Sequence, residues 1–546
     1  MSTSRRGPNH LNFHAWIRGI LLLGLAACGG GGAGADFSTQ ALGGGFAPGE
    51  VRPVNFDGAN QARIEFSELS GGEKFSIVLF GANSQAGYYD FQLQGLNDAA
   101  QAKFLEAPSS LPLEAAEIEE EAEADDATSL LHKRLRNWES ELGDLEPYSP
   151  ESEYDRGKAF AATRTYCAGG RGIHFRVLSS LSDNDAYETV CGVEVRRSGQ
   201  AVYYVDEAVL NDLNAGHLGS IIDEFEAKIP HERNLFGNES DVDENGTFSV
   251  LFSPAVNRLG SSGGGFITGY FFGGDLYPRS SIPGSNEQEV LFLCVPDPGG
   301  RWNVQLSRDF WDSNIVRSVL PHEFQHMISF NQHLLLRNDG AEEAWANEGI
   351  SHFIEDLEAD GSLDRVGVEN PSRVLLYLVA PENAAFTAGI SIAQRGGSYL
   401  FFRYLYEQAE LGRYPAASNG PELLRNLLQS GVKGVTNIER ATGWSLRNLL
   451  LDFYATLQLS NRGISGDPRY NFRAISLYGP QDDNRGTQLQ GVHSHDLKDL
   501  PFQGTVQSPG AYFLEVDGKT LIEAGQGLSF SAPAGMIPVG IVIRIE

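Results

Sequence analysis

The stretch from Ser318 to Ser329 reads Ser-Val-Leu-Pro-His-Glu-Phe-Gln-His-Met-Ile-Ser and contains the pattern His-Glu-x-x-His. Residues four apart on an α-helix lie on the same face. His322 and His326 can therefore present two imidazole nitrogens to one metal ion, with Glu323 beside them. The apolar residues Val316, Leu320, Phe324, Met327 and Ile328 recur at helical spacing on the opposite side. An ordinary amphipathic helix would show the same periodicity. Only a third ligand can therefore distinguish a metal-binding helix from an ordinary one.

The third ligand is sought downstream of this helix. A metzincin-type site would require Gly at position 329 and His at position 332, but Ser329 and Gln332 stand there, which excludes that arrangement. A second helical pattern begins with Trp345-Ala-Asn-Glu-Gly-Ile-Ser. If that helix packs antiparallel on the first, Glu348 reaches the metal. Two histidines and one glutamate, with a fourth position left for water, form a catalytic zinc set.

The second segment is similar to the Trp-Leu-Asn-Glu-Gly stretch of gluzincin metallopeptidases, in which the Glu is the third zinc ligand. Together, the two segments resemble the hyicolysin family of gluzincins, over roughly residues 230–460. The resemblance implies a thermolysin-like catalytic domain with a β-rich lobe followed by a helical lobe. Alternating apolar and polar residues on either side of it predict N- and C-terminal β-sandwich-like domains, so the chain as a whole is predicted to be α+β. The resemblance also implies a substrate-binding edge strand, for which 266–272 and 289–295 are both candidates.

The implied activity is that of a zinc metallopeptidase, of the endopeptidase kind, that acts on proteins or peptides. Zinc held by His322, His326 and Glu348 would activate a water molecule, and Glu323 would be the general base. Two alternatives stay open from the residue types alone. One is a non-catalytic cell-surface binding lipoprotein on a peptidase fold, and the other is a zinc hydrolase of a non-peptide substrate.

Further residues are candidates for supporting roles in this site. The family's transition-state tyrosine has no counterpart at the matching position, so Tyr399 and His352 are the candidates for the transition-state stabiliser. Glu355 and Asp356 are candidates to orient a ligand histidine by a hydrogen bond, as metal-bound imidazoles usually require. Pro321 directly precedes His322, which predicts either a helix that begins there or a kink.

The N-terminus predicts export. Basic residues precede a short apolar run that ends in Leu-Ala-Ala-Cys-Gly, with the cysteine at Cys28. The run is too short to span a bilayer and is typical of a signal peptide. Leu-Ala-Ala-Cys looks like a bacterial lipobox, which makes Cys28 the predicted lipidation site. The expected location is the bacterial cell envelope, at the outer membrane on its periplasmic or surface side, with the lipid on Cys28 as the membrane contact.

The remaining cysteines and one acidic loop suggest structural cross-links. In an exported protein, Cys167 and Cys191 are a candidate disulfide because both fall in one β-rich region. Cys294, in an apolar run, is predicted to be a buried free thiol. The sequence Asp-Val-Asp-Glu-Asn-Gly places Asp241, Asp243 and Asn245 at the opening spacing of a calcium loop. The position of the bidentate Glu holds an apolar residue, so a tight turn before a strand is favoured over a calcium site.

Composition sets the broader limits. The formal net charge of −30 argues against nucleic acid as a partner. The acidic stretch in 105–156 predicts a solvated linker, with a removable inhibitory pro-segment as the alternative. The predicted domains are a signal peptide (1–28), a Gly-rich tether and small β-domain (29–104), the acidic linker or pro-segment (105–156), an α+β N-terminal lobe (157–300), a helical catalytic lobe (301–465) and a C-terminal β-domain (466–546).

Overall fold

The fold is known from a computed structural model, which describes residues 39–42, 46–97, 110–112, 127–150, 166–167, 170, 172–181, 183, 185–260, 266–481 and 486–546. Helices and strands both contribute substantially, which confirms the mixed α and β composition. The predicted signal peptide and Cys28 lie outside the described residues, as does part of the predicted acidic linker or pro-segment (105–156). Within the described part, no helix is both long and apolar enough to cross a membrane.

Strands from the two ends of the chain pair with each other. One sheet has the order β1-β3-β18-β5-β16, with β6 added to β5, and a second has the order β15-β17-β4-β19-β2. The strands are β1 (Thr39–Leu42), β2 (Val51–Val54), β3 (Gln61–Phe66), β4 (Lys74–Gly81), β5 (Gly87–Gly95), β6 (Ser110–Pro112), β15 (His495–Asp496), β16 (Phe502–Ser508), β17 (Ala511–Asp517), β18 (Gly527–Ser531) and β19 (Pro538–Arg544).

The segments that the sequence suggested as separate N- and C-terminal β-domains thus share two sheets. Strand β4 lies between β17 and β19, with Phe80 opposite both Ala511 and Val539. Strand β3 alternates half-buried and buried residues, as a strand with one covered face should. This alternation identifies a strand from sequence, but it carries no information about which other strand will be its neighbour.

A third sheet, of six strands, carries the site. Its order is β11-β12-β10-β9-β8-β7. Strand β10 pairs in parallel with β12 on one side and with β9 on the other, and all three strands are buried along their whole length. Parallel strands covered on both faces are expected to be apolar throughout. The strands are β7 (Ile173–Leu178), β8 (Tyr187–Arg197), β9 (Ala201–Asp206), β10 (Phe248–Phe252), β11 (Gly269–Phe271) and β12 (Val290–Leu293); β13 (Tyr478–Pro480) and β14 (Gln488–Gln490) form a separate hairpin.

Strand β11 lies at the edge of this sheet and runs antiparallel to β12. Of the two candidate edge strands, 266–272 therefore contains the one at the edge, and 289–295 contains its inner neighbour. Cys167 and Cys191 are joined in a disulfide with a Cα–Cα distance of 5.9 Å, and Cys294 is a buried free thiol.

Most of the helices follow β11 in the sequence. The helices are α1 (Ala127–Glu139), α2 (Ala215–Phe236), α3 (Pro254–Leu259), α4 (Val316–Phe330), α5 (Ala344–Ile354), α6 (Asn370–Val379), α7 (Ile392–Glu410), α8 (Gly420–Leu428), α9 (Gly434–Thr442), α10 (Leu446–Leu459) and α11 (Gly518–Glu523). Helix α4 holds the His-Glu-x-x-His pattern and packs on α2, α5 and β11. Its core face includes Phe324, which stacks on Phe248 of β10.

Pro321 lies inside helix α4, which begins five residues earlier at Val316 after a π-helical turn, Trp311–Ile315. A proline has no N–H and so leaves the carbonyl four residues before it without its helical partner. That carbonyl belongs to Arg317, and it accepts a hydrogen bond from Nζ of Lys228 at 3.4 Å. The helix thus passes through the proline because helix α2 supplies a substitute donor.

Candidate metal centre

Helices α4 and α5 bring the three predicted ligands together. Nε2 of His322 lies 3.1 Å from Nε2 of His326, because one helical turn separates them. The Glu348 carboxylate approaches from α5, with 3.7 Å between its Oε2 and Nε2 of His322 and 3.4 Å between its Oε1 and Nε2 of His326. All three residues are buried, and Glu348 and His326 have no exposed surface.

These separations fit a zinc ion. Zinc–ligand bonds of about 2.0–2.1 Å in a tetrahedron place neighbouring ligand atoms about 3.3 Å apart. Oε2 of Glu348 is buried and has no hydrogen-bond partner among the residues that the structure describes. A buried, unpartnered carboxylate oxygen is unfavourable unless a cation or a donor satisfies it. The donor set of two imidazole nitrogens and one carboxylate oxygen therefore suits zinc in both chemistry and spacing.

The outward nitrogens of the two histidines are held by hydrogen bonds. Nδ1 of His322 lies 3.1 Å from Oε1 of Glu355. Nδ1 of His326 lies 3.1 Å from Oδ1 of Asn347 and 3.1 Å from Oγ of Ser351. Such partners fix the tautomer that leaves Nε2 free for a metal. Asn347 and Ser351 were not anticipated; both follow from their positions on α5, on either side of Glu348.

The protonation states of His326 and Glu348 suit metal binding. Burial and the nearby Arg136 guanidinium hold the pKa of His326 well below its usual range, so the imidazole is neutral. Burial alone would raise the pKa of Glu348, but the surrounding imidazoles of His132 and His326 outweigh it and hold that pKa well below its ordinary value. A neutral histidine and an ionised glutamate are the forms that bind a metal ion.

Glu323 points to the same cleft from the adjacent position on α4. Its Oε2 accepts a hydrogen bond from the backbone N–H of Phe271 in β11, at 2.9 Å. Burial raises the pKa of this carboxyl above its ordinary value, against the charge of His322. A carboxylate with a raised pKa that lines a cleft beside a metal site suits a general base.

The two candidate stabilisers have different surroundings. His352 lines the cleft, its ring centroid lies 4.7 Å from that of His322, and its Nε2 is buried without a hydrogen-bond partner. Its Nδ1 is held by Glu355 at 2.6 Å. Tyr399 instead lies in the core, where its hydroxyl donates to Asp356 at 2.9 Å, and it does not line the cleft. The structure therefore brings His352 to the site and leaves Tyr399 outside it.

Asp356 also differs from its predicted position. It does not contact a ligand histidine, because its carboxylate is directed into the core. There it accepts hydrogen bonds from the N–H of Gly367 at 2.6 Å, from Nδ2 of Asn370 at 3.2 Å and from Arg403 and Tyr399. Glu355 and Asp356 are neighbours at the end of helix α5, and their side chains point in different directions. Glu355 therefore reaches His322, whereas Asp356 holds the loop that leads into α6.

A residue far away in sequence joins the site. Nδ1 of His132, on helix α1, lies 2.7 Å from Oε1 of Glu348, and its ring is 5.7 Å from that of His322 and 6.0 Å from that of His326. The ligand atoms of the four residues lie within 4.8 Å of one another. The sequence analysis did not identify His132, because this residue stands in a segment predicted to be a linker or pro-segment.

The acidic loop is a turn that leads into β10, as the sequence favoured, and one more acidic residue reaches it. Carboxylate oxygens of Asp241, Asp243 and Glu289 lie within 4.8 Å of one another. The side-chain oxygen of Asn245 faces the turn instead, where it accepts hydrogen bonds from the N–H and hydroxyl of Thr247 at 2.7 and 2.6 Å. Glu289 arrives because it immediately precedes β12, which pairs with β10.

The buried His and Glu cluster could hold a metal ion, and a comparison with curated proteins finds similarity to a metalloprotease. The chain is 27% identical over 313 residues to the neutral metalloprotease ShpI of Staphylococcus hyicus. The similar region is 54% of this chain and 65% of that protein, so a third of the relative has no counterpart in the match. No model of a known protein family matches the chain.

Proposed function

We propose that the protein is a zinc-dependent metallopeptidase. The observation that carries the proposal is the convergence of His322, His326 and Glu348, at spacings that suit tetrahedral zinc, beside the buried carboxylate of Glu323. The similarity to a neutral metalloprotease supports the same class of activity. Two finer assignments belong to this proposal: membership of the hyicolysin family, and a gluzincin type of endopeptidase with a thermolysin-like catalytic domain.

The residues of the chain divide the chemistry among them. His322, His326 and Glu348 would hold a zinc ion, which would supply the Lewis acid that acidifies a water molecule and polarises the scissile carbonyl. Glu323 accepts the proton of the attacking water and delivers it to the leaving amine. Of the two candidate transition-state stabilisers, His352 is the one that lines the cleft, beside His322.

The edge strand offers a place for a peptide. Strand β11 is at the border of its sheet, and Phe271 in this strand contacts Glu323 directly. An extended peptide can add to an exposed sheet edge through backbone hydrogen bonds. This arrangement would carry a scissile bond past Glu323, and it favours a peptide substrate over an ester or a glycan, which lack the regular backbone donors and acceptors of a strand.

Two further features are proposed with the enzyme. The lipobox-like sequence supports export and lipid attachment at Cys28, which lies outside the described residues. The cluster of Asp241, Asp243 and Glu289 supports a structural calcium site, because Oε2 of the buried Glu289 has no hydrogen-bond partner. Calcium at this point would tie the turn before β10 to the start of β12.

The function is tested by metal analysis and peptide hydrolysis on the same samples. Wild-type protein and the variants Glu323→Gln and His322→Ala are compared, each intact and after limited proteolysis, since helix α1 covers part of the cleft. We expect about one zinc per chain in the wild type and in Glu323→Gln, and loss of tight zinc binding in His322→Ala. Hydrolysis of casein should occur only in the wild type, which has both Glu323 and tightly bound zinc. The proposal would be refuted if the protein binds zinc but neither the intact nor the trimmed form shows Glu323-dependent hydrolysis of any peptide.

A non-catalytic binding protein and a zinc hydrolase of another substrate are the competing assignments. The intact Glu323 next to a complete ligand set argues against the first, since binding alone does not require a general base. A parallel screen of ester and glycan substrates addresses the second. Turnover of either that depends on Glu323, with no peptide turnover, would replace the peptidase assignment.

A further inference from the structure

We infer that His132 is a fourth ligand of the metal centre and that helix α1 is an internal inhibitor of the proposed peptidase. The inference rests on the proposed function, because it assigns His132 to the position that catalysis needs for water. A catalytic zinc site keeps one open position, whereas a site with four protein ligands is closed. The chain therefore contains its own means of closing the site.

The geometry of His132 carries the first part of the inference. Its Nδ1 lies 2.7 Å from Oε1 of Glu348, the oxygen that also faces Nε2 of His326, and all four residues are buried. The imidazole of His132 faces a carboxylate and two other imidazoles, so hydrophobic packing does not explain its burial at this position. Three histidines and one glutamate around one point form a complete tetrahedral set for zinc.

The remainder of helix α1 contacts the segments on both sides of the edge strand. Its first turn is tied to the segment before β11, where Oγ1 of Thr128 donates to the carbonyl of Phe266 at 3.1 Å. Its last turn is tied to the segment after β11, where Trp138 stacks on Phe272 with ring centroids 4.6 Å apart. Helix α1 thus runs beside the edge at which a peptide substrate would pair.

The helix is also anchored in the core and matched in charge to the site. Leu131 and Leu135 are 0% and 2% exposed. Arg136, one turn after His132, is buried beside Glu139, with 3.1 Å between Nη2 and Oε1, and its Nε and Nη1 have no hydrogen-bond partner. An imidazole and a guanidinium on one helix face therefore enter a site rich in carboxylates. Such complementarity favours docking of this helix over an ordinary surface helix.

Two consequences follow for the enzyme. With α1 in place, the metal lacks an open position and the edge strand lacks an open side, so peptide hydrolysis is suppressed. Release of α1, by a conformational change or by cleavage of the chain on both sides of it, would restore the three-ligand site. The acidic segment that the sequence suggested as either a linker or a pro-segment thus acquires an inhibitory function.

The test replaces zinc with cobalt(II), whose visible spectrum reports the ligands directly without any assay of activity. Full-length wild type, His132→Ala and the control Lys133→Ala are loaded with cobalt and titrated with acetohydroxamate, a small ligand that needs an open coordination position. Lys133 is exposed on the same helix, so its removal controls for changes in helix stability. Circular dichroism establishes that each variant is folded.

We expect His132→Ala to bind acetohydroxamate with an affinity about 10-fold or more above that of the wild type, and its cobalt spectrum to differ before any addition. Lys133→Ala should match the wild type in both respects. Equal hydroxamate affinity in the wild type and His132→Ala would overturn the inference. Should His132→Ala fail to fold, His132→Gln, which keeps more of the side-chain volume, is compared in the same way.

The outcomes separate this inference from the proposed function. If no variant binds cobalt or zinc, the metal centre and the inference are both overturned. If His132→Ala gains hydroxamate binding but no Glu323-dependent peptide hydrolysis follows even after trimming, the inference holds and the peptidase assignment fails. If the wild type hydrolyses peptides while α1 remains intact and its hydroxamate affinity equals that of His132→Ala, the peptidase stands and the inhibitor is excluded.

Discussion

Nζ of Lys228 donates a hydrogen bond to the backbone carbonyl of Arg317, the carbonyl that Pro321 leaves without a helical partner. The lysine lies on α2 and is 1% exposed. Burial is the main cause that lowers its pKa to about 8. The helix that carries the proposed metal ligands is therefore stabilised through its proline by a buried amine from a neighbouring helix.

This arrangement predicts a pH dependence of stability. Below about pH 8 Lys228 is charged in both the folded and the unfolded protein, and the cost of burying the charge is present in full. As the pH rises from about 8 towards 10.5, the folded protein loses this proton before the unfolded one, so the cost disappears. The stability of the wild type relative to Lys228→Met should thus increase by about 2 to 3 kcal/mol between pH 7 and pH 10.

Urea denaturation of both proteins at the two pH values measures this difference. The exposed Lys133 provides the control, since Lys133→Met should give the same difference from the wild type at both. A constant gap between the wild type and Lys228→Met would show that the buried amine does not change its protonation in this range.

A second prediction concerns the orientation of the metal ligands. Glu355 holds Nδ1 of His322 at 3.1 Å and is itself paired with Arg373 at 3.1 Å. Its replacement in Glu355→Gln should weaken zinc binding about 10- to 100-fold, because the ligand histidine loses a charged hydrogen-bond acceptor. Competition with a zinc chelator measures the affinity. Glu358→Gln, a more exposed change three residues on, should leave zinc affinity as in the wild type.

The third prediction separates the two candidate stabilisers by their positions. His352 lines the cleft, so His352→Gln should lower kcat about 10- to 100-fold with zinc content preserved. Tyr399 is remote from the cleft, so Tyr399→Phe should change kcat by less than about 3-fold and lower stability by about 1 kcal/mol through the lost bond to Asp356. A large loss of kcat in Tyr399→Phe without loss of stability would reverse this assignment.

The sequence was sufficient for features that depend on local geometry. The approach of His322 to His326 follows from helix periodicity alone, and the arrival of Glu348 requires only that two consecutive helices pack together. The direction of a single side chain was harder to predict, as Asp356 illustrates. It lies next to Glu355, yet it turns into the core because Arg403 and Tyr399 offer it partners there.

Contacts between distant segments were beyond the sequence. His132 lies 216 residues from Glu348, and an alternation or a helical period carries no record of such a partner. The same limit applies to β4, whose two neighbours both come from the C-terminal end of the chain. It applies to Glu289 as well, which reaches Asp241 and Asp243 through the pairing of β12 with β10.

The cluster of Asp241, Asp243 and Glu289 leads to the fourth prediction. Added calcium should raise the melting temperature of the wild type. A cation that binds only the folded state increases the free energy of unfolding in proportion to the logarithm of the cation concentration. Glu289→Gln should abolish this increase, since the buried carboxylate is removed. Magnesium, which demands a tighter octahedral site, serves as the comparison ion. An equal calcium response in Glu289→Gln would exclude this cluster as the site.

The last prediction addresses the anchoring of helix α1. Trp138 stacks on Phe272, and its ring occupies space that a side chain at position 274 would need, so it fixes the end of the helix against the segment that follows β11. Trp138→Ala should loosen α1 and make the chain around 127–145 several-fold more sensitive to limited proteolysis, since cleavage samples local opening. If α1 suppresses activity, peptide hydrolysis should increase in the same variant before any cleavage. Asn137→Ala, an exposed change one residue earlier, controls for both measurements. Because the proteolysis and the hydrolysis are measured independently, a looser helix with unchanged activity would show that α1 is held at the site without inhibiting it.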